Sequence, residues 1–291
     1  MDIDAIIEKN LTAVSDEYRA FLKKKLACQR CSIWNEYKQV VCSDGNAKNP
    51  TFVFVGESPG KDELSEGKPF VGRAGQCLRN VLRRHKKTFN RNTTLLTNLL
   101  PCRPLNNKFP YGKANKDYKM ADSLSTLDAI GLTPKMKRAT AIQVVRNCLD
   151  EHLIEELKIL RPKVIVTLGA QPLYWLTEMS GITDNRGKWQ RIASVAREYD
   201  LGAWVFSTYH PSYVIRCKNT GDKHIVEQFE EDLKTVAETW ATVTSKHVPR
   251  SAAAKPMTVA FGDVPKDYGG YASTEEIEDI IAEAMTDDIT W

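Results

Sequence analysis

A carboxylate and an aromatic ring share one glycine-rich stretch of this 291-residue chain. Gly56-Glu57-Ser58-Pro59-Gly60 runs on to Gly67-Lys68-Pro69-Phe70-Val71-Gly72-Arg73-Ala74-Gly75. The stretch follows a short apolar run and leads into a helical pattern. Loops at the carboxyl ends of strands are where open α/β sheets bind ligands. Glu57 supplies hydrogen-bond partners and Phe70 a π-face, which together suit a planar heterocycle. Other polar side chains also follow apolar runs: Asn98 in Thr97-Asn98-Leu99-Leu100-Pro101-Cys102-Arg103-Pro104, and His210 in Thr208-Tyr209-His210-Pro211-Ser212. Taken singly, Asn98 reads as a turn residue and His210 as a packed histidine. Taken together, Glu57, Phe70, Asn98 and His210 fall on one edge of one expected sheet.

The cysteines are a second candidate for chemistry. There are seven, at 28, 31, 42, 77, 102, 148 and 217, an odd number with no secretory signal before them. A disulfide framework is therefore not expected. Cys28-Gln-Arg-Cys31 is a CxxC pair after a basic helical stretch rather than beside a βαβ unit. That placement favours a metal site over a thioredoxin-type redox pair.

The elements that must position these residues are readable as alternating runs. Thr51–Val55, Thr93–Thr97, Lys163–Leu168 and Ala203–Ser207 are short and apolar, as strands covered on both faces should be. Ala74, Cys77, Leu78, Val81 and Leu82 mark one helix, which the spacing extends through Arg83-Arg84-His85-Lys86-Lys87. Cys148, Leu149, Leu153, Leu157 and Leu160 mark another, stopped near Pro162. Phe229, Leu233, Val236, Ala237 and Trp240 mark a third. Strand alternating with helix implies an α/β fold. Residues 105–143 interrupt the rhythm and read as a basic surface insertion. Residues 1–246 form the main domain, 247–273 a linker, and 274–291 an acidic amphipathic tail with Ile277, Ile280, Ile281, Ala284 and Met285 at helical spacing.

Charge divides the chain. The segment from Ser251 to Trp291 carries nine carboxylates and two lysines, a net −7, so residues 1–250 hold +11 of an overall +4. A basic body suits a polyanionic partner, and the acidic tail suits docking on that body or on a partner protein. No apolar run approaches the roughly 18 residues of a membrane-spanning helix, and no signal-peptide core is visible. A soluble, intracellular protein with no membrane partner is expected.

In these motifs the chain resembles the uracil-DNA glycosylase superfamily, most closely the iron–sulfur type called family 4. That family carries a GEAPG-type motif, then PFVGxAG, then N-x-x-x-C-R-P, then an HPA- or HPS-type motif ahead of an arginine. All four occur here in order, between about residues 20 and 240. The resemblance implies a three-layer α/β/α sandwich around a central four-stranded parallel sheet. It implies an enzyme of base excision repair that flips deoxyuridine from single- or double-stranded DNA and hydrolyses the N-glycosidic bond.

Residue by residue, the resemblance places Gly56 and Glu57 against the flipped base and Phe70 on the uracil ring. Asn98 would read the amide edge, and His210 would stand near O2, where charge grows as the bond breaks. It makes Tyr213, Val214, Ile215 and Arg216 a loop that enters the duplex. Ser58 stands where the family usually has Ala and some other glycosylases have Asp as water activator. An unaided serine is not a general base at neutral pH, so Ser58 or Asn98 would position water rather than activate it. Cys28, Cys31, Cys102 and Cys148 match the four ligands of a [4Fe–4S] cluster, with zinc the less favoured occupant of a four-cysteine site. The last two ligands are further apart here than in the family, by the length of the insertion. A second reading is a uracil-DNA binding module with little or no turnover, joined to replication machinery through the acidic tail, an arrangement suited to a viral origin.

Overall fold

A computed structural model describes residues 2–110, 144–191 and 202–246. Most of the expected insertion (111–143), the linker and the acidic tail lie outside the described residues. Seven strands form one sheet in the order β1-β2-β4-β3-β5-β7-β6. They are β1 (Leu11–Val14), β2 (Asp44–Ala47), β3 (Phe52–Gly56), β4 (Thr94–Asn98), β5 (Val164–Leu168), β6 (Trp189–Arg191) and β7 (Trp204–Thr208). The central four, β4-β3-β5-β7, are parallel and correspond to the four apolar runs read from the sequence. β2 and β6 add antiparallel neighbours on either side, and β1 pairs parallel to β2. These short outer strands carry little apolar signal; Asp44-Gly45-Asn46-Ala47 does not read as a strand.

Alternation along the central strands builds two cores. Val53, Val55, Leu95, Ile165 and Val205 face one side. Phe52, Phe54, Leu96, Val164, Val166, Trp204 and Phe206 face the other. The first core is covered by α1 (Ile3–Asn10), α2 (Asp16–Leu26), α3 (Ser32–Tyr37), a helical segment α6 (144–160) and α7 (Ala170–Thr177). The second is covered by α5 (Arg73–Arg84), α9 (Pro211–Asn219) and α10 (Lys223–Lys246). Two short helices, α4 (Lys61–Glu66) and α8 (Ile182–Asn185), lie in the connections. This is the three-layer sandwich implied by the resemblance. No described helix is long and apolar enough to cross a membrane.

Three local readings change. α5 ends at Arg84, and His85 to Phe89 continue as turns, because His85 bonds back to Leu82 and Phe89 to His85. The helix through Cys148 widens to a π-helix over Leu149–Ile154. Phe109, read as part of a surface insertion, is buried in the first core, since a phenylalanine in an otherwise polar loop gains most by leaving water.

The N-terminal arm is joined to the sheet by a buried polar cluster. Lys25 Nζ donates to Glu156 Oε2 at 2.9 Å with both side chains essentially inaccessible. Tyr18, Ser43 and Thr97 also donate to the Glu156 carboxylate. Thr97 immediately precedes Asn98, so α2, α6 and the end of β4 meet at one carboxylate. Removing one partner of a buried pair costs about 3–5 kcal/mol, whereas replacing both with apolar groups is often neutral. Lys25→Met is therefore expected to lose about that much in urea unfolding, and adding Glu156→Met to recover little of it, because Tyr18, Ser43 and Thr97 then lose their acceptor.

Candidate functional site

Five backbone pairs run from Phe52↔Thr94 to Gly56↔Asn98, so β3 and β4 end together. The chain stays strapped beyond the strands: Leu99 N donates to Gly56 O at 2.8 Å and Leu100 N to Glu57 O at 3.0 Å. Asn98 is 9% exposed, and its side-chain amide makes no hydrogen bond among the described residues. Phe70 is buried. The two converge on Gly56: a Cβ there would lie 2.4 Å from Asn98 Oδ1 and 2.6 Å from Phe70 Cζ. Only glycine leaves this floor open.

Phe70 holds φ 56°, in the left-handed region, where a bulky residue is strained by about 1–3 kcal/mol. Its surroundings dictate the conformation. Arg79 donates from Nε to Phe70 O at 2.9 Å and from its terminal nitrogen to Pro69 O at 3.0 Å. The same guanidinium pairs with the buried carboxylate of Asp44, which Lys68 and Arg91 also approach. A Cβ on Gly75 would stand 2.0 Å from the Phe70 carbonyl, so α5 packs directly on this turn. Glu63 ties the two halves of the loop, accepting from Gly60 N at 3.1 Å and from Gly72 N at 2.9 Å. Arg79, Asp44 and Glu63 were not read from the sequence. A basic residue on α5 and an acidic one after Gly60 look like ordinary surface charges there.

His210 stands two residues beyond β7 and caps α9. Its Nδ1 accepts from Ser212 N at 3.2 Å and lies 2.7 Å from Ser212 Oγ. With Nδ1 accepting, the ring proton sits on Nε2, which remains a donor. Burial lowers the imidazole to about 4, with Arg216 adding to the effect, so the ring is neutral at physiological pH. Gly169, after β5, approaches closely: its Cβ would lie 2.8 Å from His210 Cβ, and its φ is +95°. Beneath, Thr208 donates to Asp232 at 2.6 Å, and Arg186 pairs with the same carboxylate.

Glu57 is half-buried, and burial raises its carboxyl to about 7 against the opposing pull of Arg216. β3, β5 and β7 run parallel, so Glu57 and His210 stand at the same edge of the sheet, with Gly169 between their strands packed on His210. Ser58 is half-buried with no hydrogen-bond partner for its hydroxyl among the described residues. Glu57, Phe70, Asn98 and His210 are therefore brought to one edge, as expected. The expected entry loop is different: Tyr213, Val214, Ile215 and Arg216 form the first turns of α9. Val214 is 1% exposed in the second core and cannot wedge into a duplex, because helical periodicity turns it inward. Tyr213 and Arg216 are exposed, with the guanidinium 5.8 Å from the Tyr213 ring.

Four thiols gather on the other side of β4. Cys31 is held down to about 6 by its hydrogen bond with Cys148, and the same bond raises Cys148. Burial pushes Cys102 up to about 12, reinforced by Cys31 and Cys28. Among the described residues, no three His, Cys, Asp or Glu side chains are arranged to hold a metal ion. The thiols are nonetheless near enough to feel one another's charge. Cys42, Cys77 and Cys217 pack into the protein; Cys42 accepts from Asn10 at 2.7 Å.

Comparison with known proteins agrees with this geometry. A sequence model of the uracil DNA glycosylase superfamily matches residues 42–234. A type-4 uracil-DNA glycosylase of Saccharolobus solfataricus is 30% identical over 234 residues, 79% of this chain and 86% of the relative. Those of Archaeoglobus fulgidus and Thermotoga maritima are 29% and 28% identical, covering 75% and 72% of this chain and 90% and 88% of their own.

Two outcomes follow from the site. Gly56→Ala should close the floor, reducing ligand affinity at least tenfold, measured by titration, with Phe70 and Asn98 displaced. Glu57 keeps its proton in the folded state to about pH 7, while an ordinary glutamate loses it near 4.5. Its contribution is thus present below pH 4.5 and lost as pH rises through 7. His210 has the opposite sign: folded stability falls as pH drops from 6.5 toward 4. Glu57→Gln should therefore gain stability relative to the wild type between pH 5 and 8, read by denaturant titration at each pH.

Proposed function

The chain belongs to the uracil-DNA glycosylase superfamily, and on that premise we propose that it is a DNA N-glycosylase that removes uracil from DNA in base excision repair. The observation that carries the reading is the convergence of the free Asn98 amide and the Phe70 ring on Gly56. Uracil fits these partners. Phe70 stacks on the ring, and the Asn98 carbonyl and NH₂ meet N3–H and O4 together. Cytosine presents the reverse pattern and is disfavoured, by up to several kcal/mol, when binding holds the amide in the uracil-reading orientation, since no hydrogen bond among the described residues fixes it beforehand.

A base within a duplex is out of reach, so the nucleotide must rotate into the pocket. As the glycosidic bond breaks, negative charge grows on uracil O2. A neutral His210 with its proton on Nε2 donates there without bringing a formal charge that would itself need compensation. Ser58 has no activating neighbour among the described residues, so it orients water, and the acceleration comes mainly from electrostatic stabilisation of the departing anion. Tyr213, Ile215 and Arg216 contact the strand beside the flipped nucleotide, and the exposed Tyr213 ring offers a stacking face.

Cys28, Cys31, Cys102 and Cys148 would hold a [4Fe–4S] cluster, whose chemistry here is structural ligation. The donor set of four mutually coupled thiols supports this. The cluster would join the N-terminal arm and α6 to the end of β4.

His210→Ala is expected to slow single-turnover uracil release about 10²-fold with substrate affinity little changed; an unchanged rate rejects the role. Elemental analysis should find iron at about four atoms per chain, lost together in Cys28→Ser and Cys102→Ser. Zinc without iron would reject the cluster. Retained complex with no free uracil from the wild type would favour the binding-module reading.

A further inference from the structure

The basic run Arg83-Arg84-His85-Lys86-Lys87 plays no part in the pocket, yet it borders a second cavity. This cleft, about 290 Å³, lies between the second half of α5, the following turn and the start of β4. Asp44, Arg79, Arg83, Lys86 and Arg91 line it, over an apolar floor that includes Phe89. Thr94, at its edge, lies about 13 Å along β4 from Asn98.

Its cations outnumber its carboxylate. Arg79 and Arg91 are engaged with Asp44, which Lys68 also approaches. Among the described residues, Arg83 meets only the Asn80 side chain, at 2.7 Å. Lys86 has no side-chain partner among the described residues. Arg84, between them in sequence, is matched by Glu230. Two exposed charges left over beside a charge-saturated Asp44 leave an anion-attracting surface.

Spacing decides the class of anion. Arg79 and Arg83 stand at i and i+4 on one face of α5, and Lys86, in the turn after the helix, lines the same cleft and extends the stripe. Such a stripe is about 10 Å long, longer than a single phosphate. It starts at Arg79, the residue holding the Phe70 carbonyl, so it leads away from the pocket. We infer that this cleft is a second DNA contact, in which Arg83 and Lys86 bind backbone phosphates of the strand whose uracil occupies the pocket. The inference rests on the proposed glycosylase reading for its direction, though not for its test.

The test uses labelled oligothymidylate, which contains no uracil, as a 12-mer and a 4-mer, with anisotropy followed across salt concentration. Arg83→Ala with Lys86→Ala is expected to weaken 12-mer binding roughly tenfold and to reduce the salt slope by about 1.4, at 0.7 per single-strand phosphate contact. The 4-mer affinity and uracil release from a uracil-containing tetramer should stay unchanged. Lys9→Ala with Lys234→Ala, exposed cations on other elements, serves as the equal-charge control and should leave the slope nearly intact. Wild-type 12-mer affinity and slope in the cleft variant would overturn the inference. So would calorimetric binding of inorganic phosphate that the variant loses while its 12-mer affinity is unchanged, since the cleft would then serve free phosphate. A wild type that binds oligothymidylate but releases no uracil would defeat the enzymatic reading alone.

Discussion

A phenylalanine held in the left-handed region is the constraint on which the pocket depends. Phe70 stays at φ 56° because several independent groups leave it no alternative. Arg79 holds two successive carbonyls, Gly75 lets α5 close on the turn, and Glu63 ties the loop's two ends together. Arg79 is itself fixed by Asp44, whose burial would be costly without the cations gathered on it. The strain and the buried charge thus support each other. The result is a ring fixed near Asn98, with a glycine at the point where the two converge.

The electrostatics of the edge follow from the same exclusion of water. Burial keeps His210 neutral and Glu57 reluctant to ionise, and Arg216 biases both. A neutral histidine at the start of a helix, with Nδ1 already committed to Ser212, is a fixed donor needing no reorganisation as charge develops. Glu57 titrates close to physiological pH, so the charge beside the pocket is adjustable where that of His210 is not.

The N-terminal arm serves the pocket at one remove. Lys25, Tyr18 and Ser43 converge on Glu156, and Thr97 brings the last turn of β4 into the same cluster. The four coupled thiols flank this cluster through α2, the loop after β4 and α6. Any displacement of the arm is therefore felt one residue from Asn98.

Much of this was legible in the residues. Four apolar runs located the parallel strands to within a residue, because strands buried on both faces must be continuously apolar. Glu57, Asn98 and His210 were recognisable because they stand at the ends of those runs, and Phe70 because it shares the glycine-rich stretch that follows the first. The outer strands were not, since β2 is polar and its place comes from backbone pairing with β4. Val214 could not be told from Tyr213 before the helix phase was known, as one residue's rotation decides which enters the core. Chain order alone determined the layered fold and the edge on which chemistry sits. Only the tertiary structure decided that Arg79, Asp44 and Glu63 hold the loop, and that Arg83 and Lys86 border a cleft, because long-range pairing of charges leaves no periodic trace along the chain.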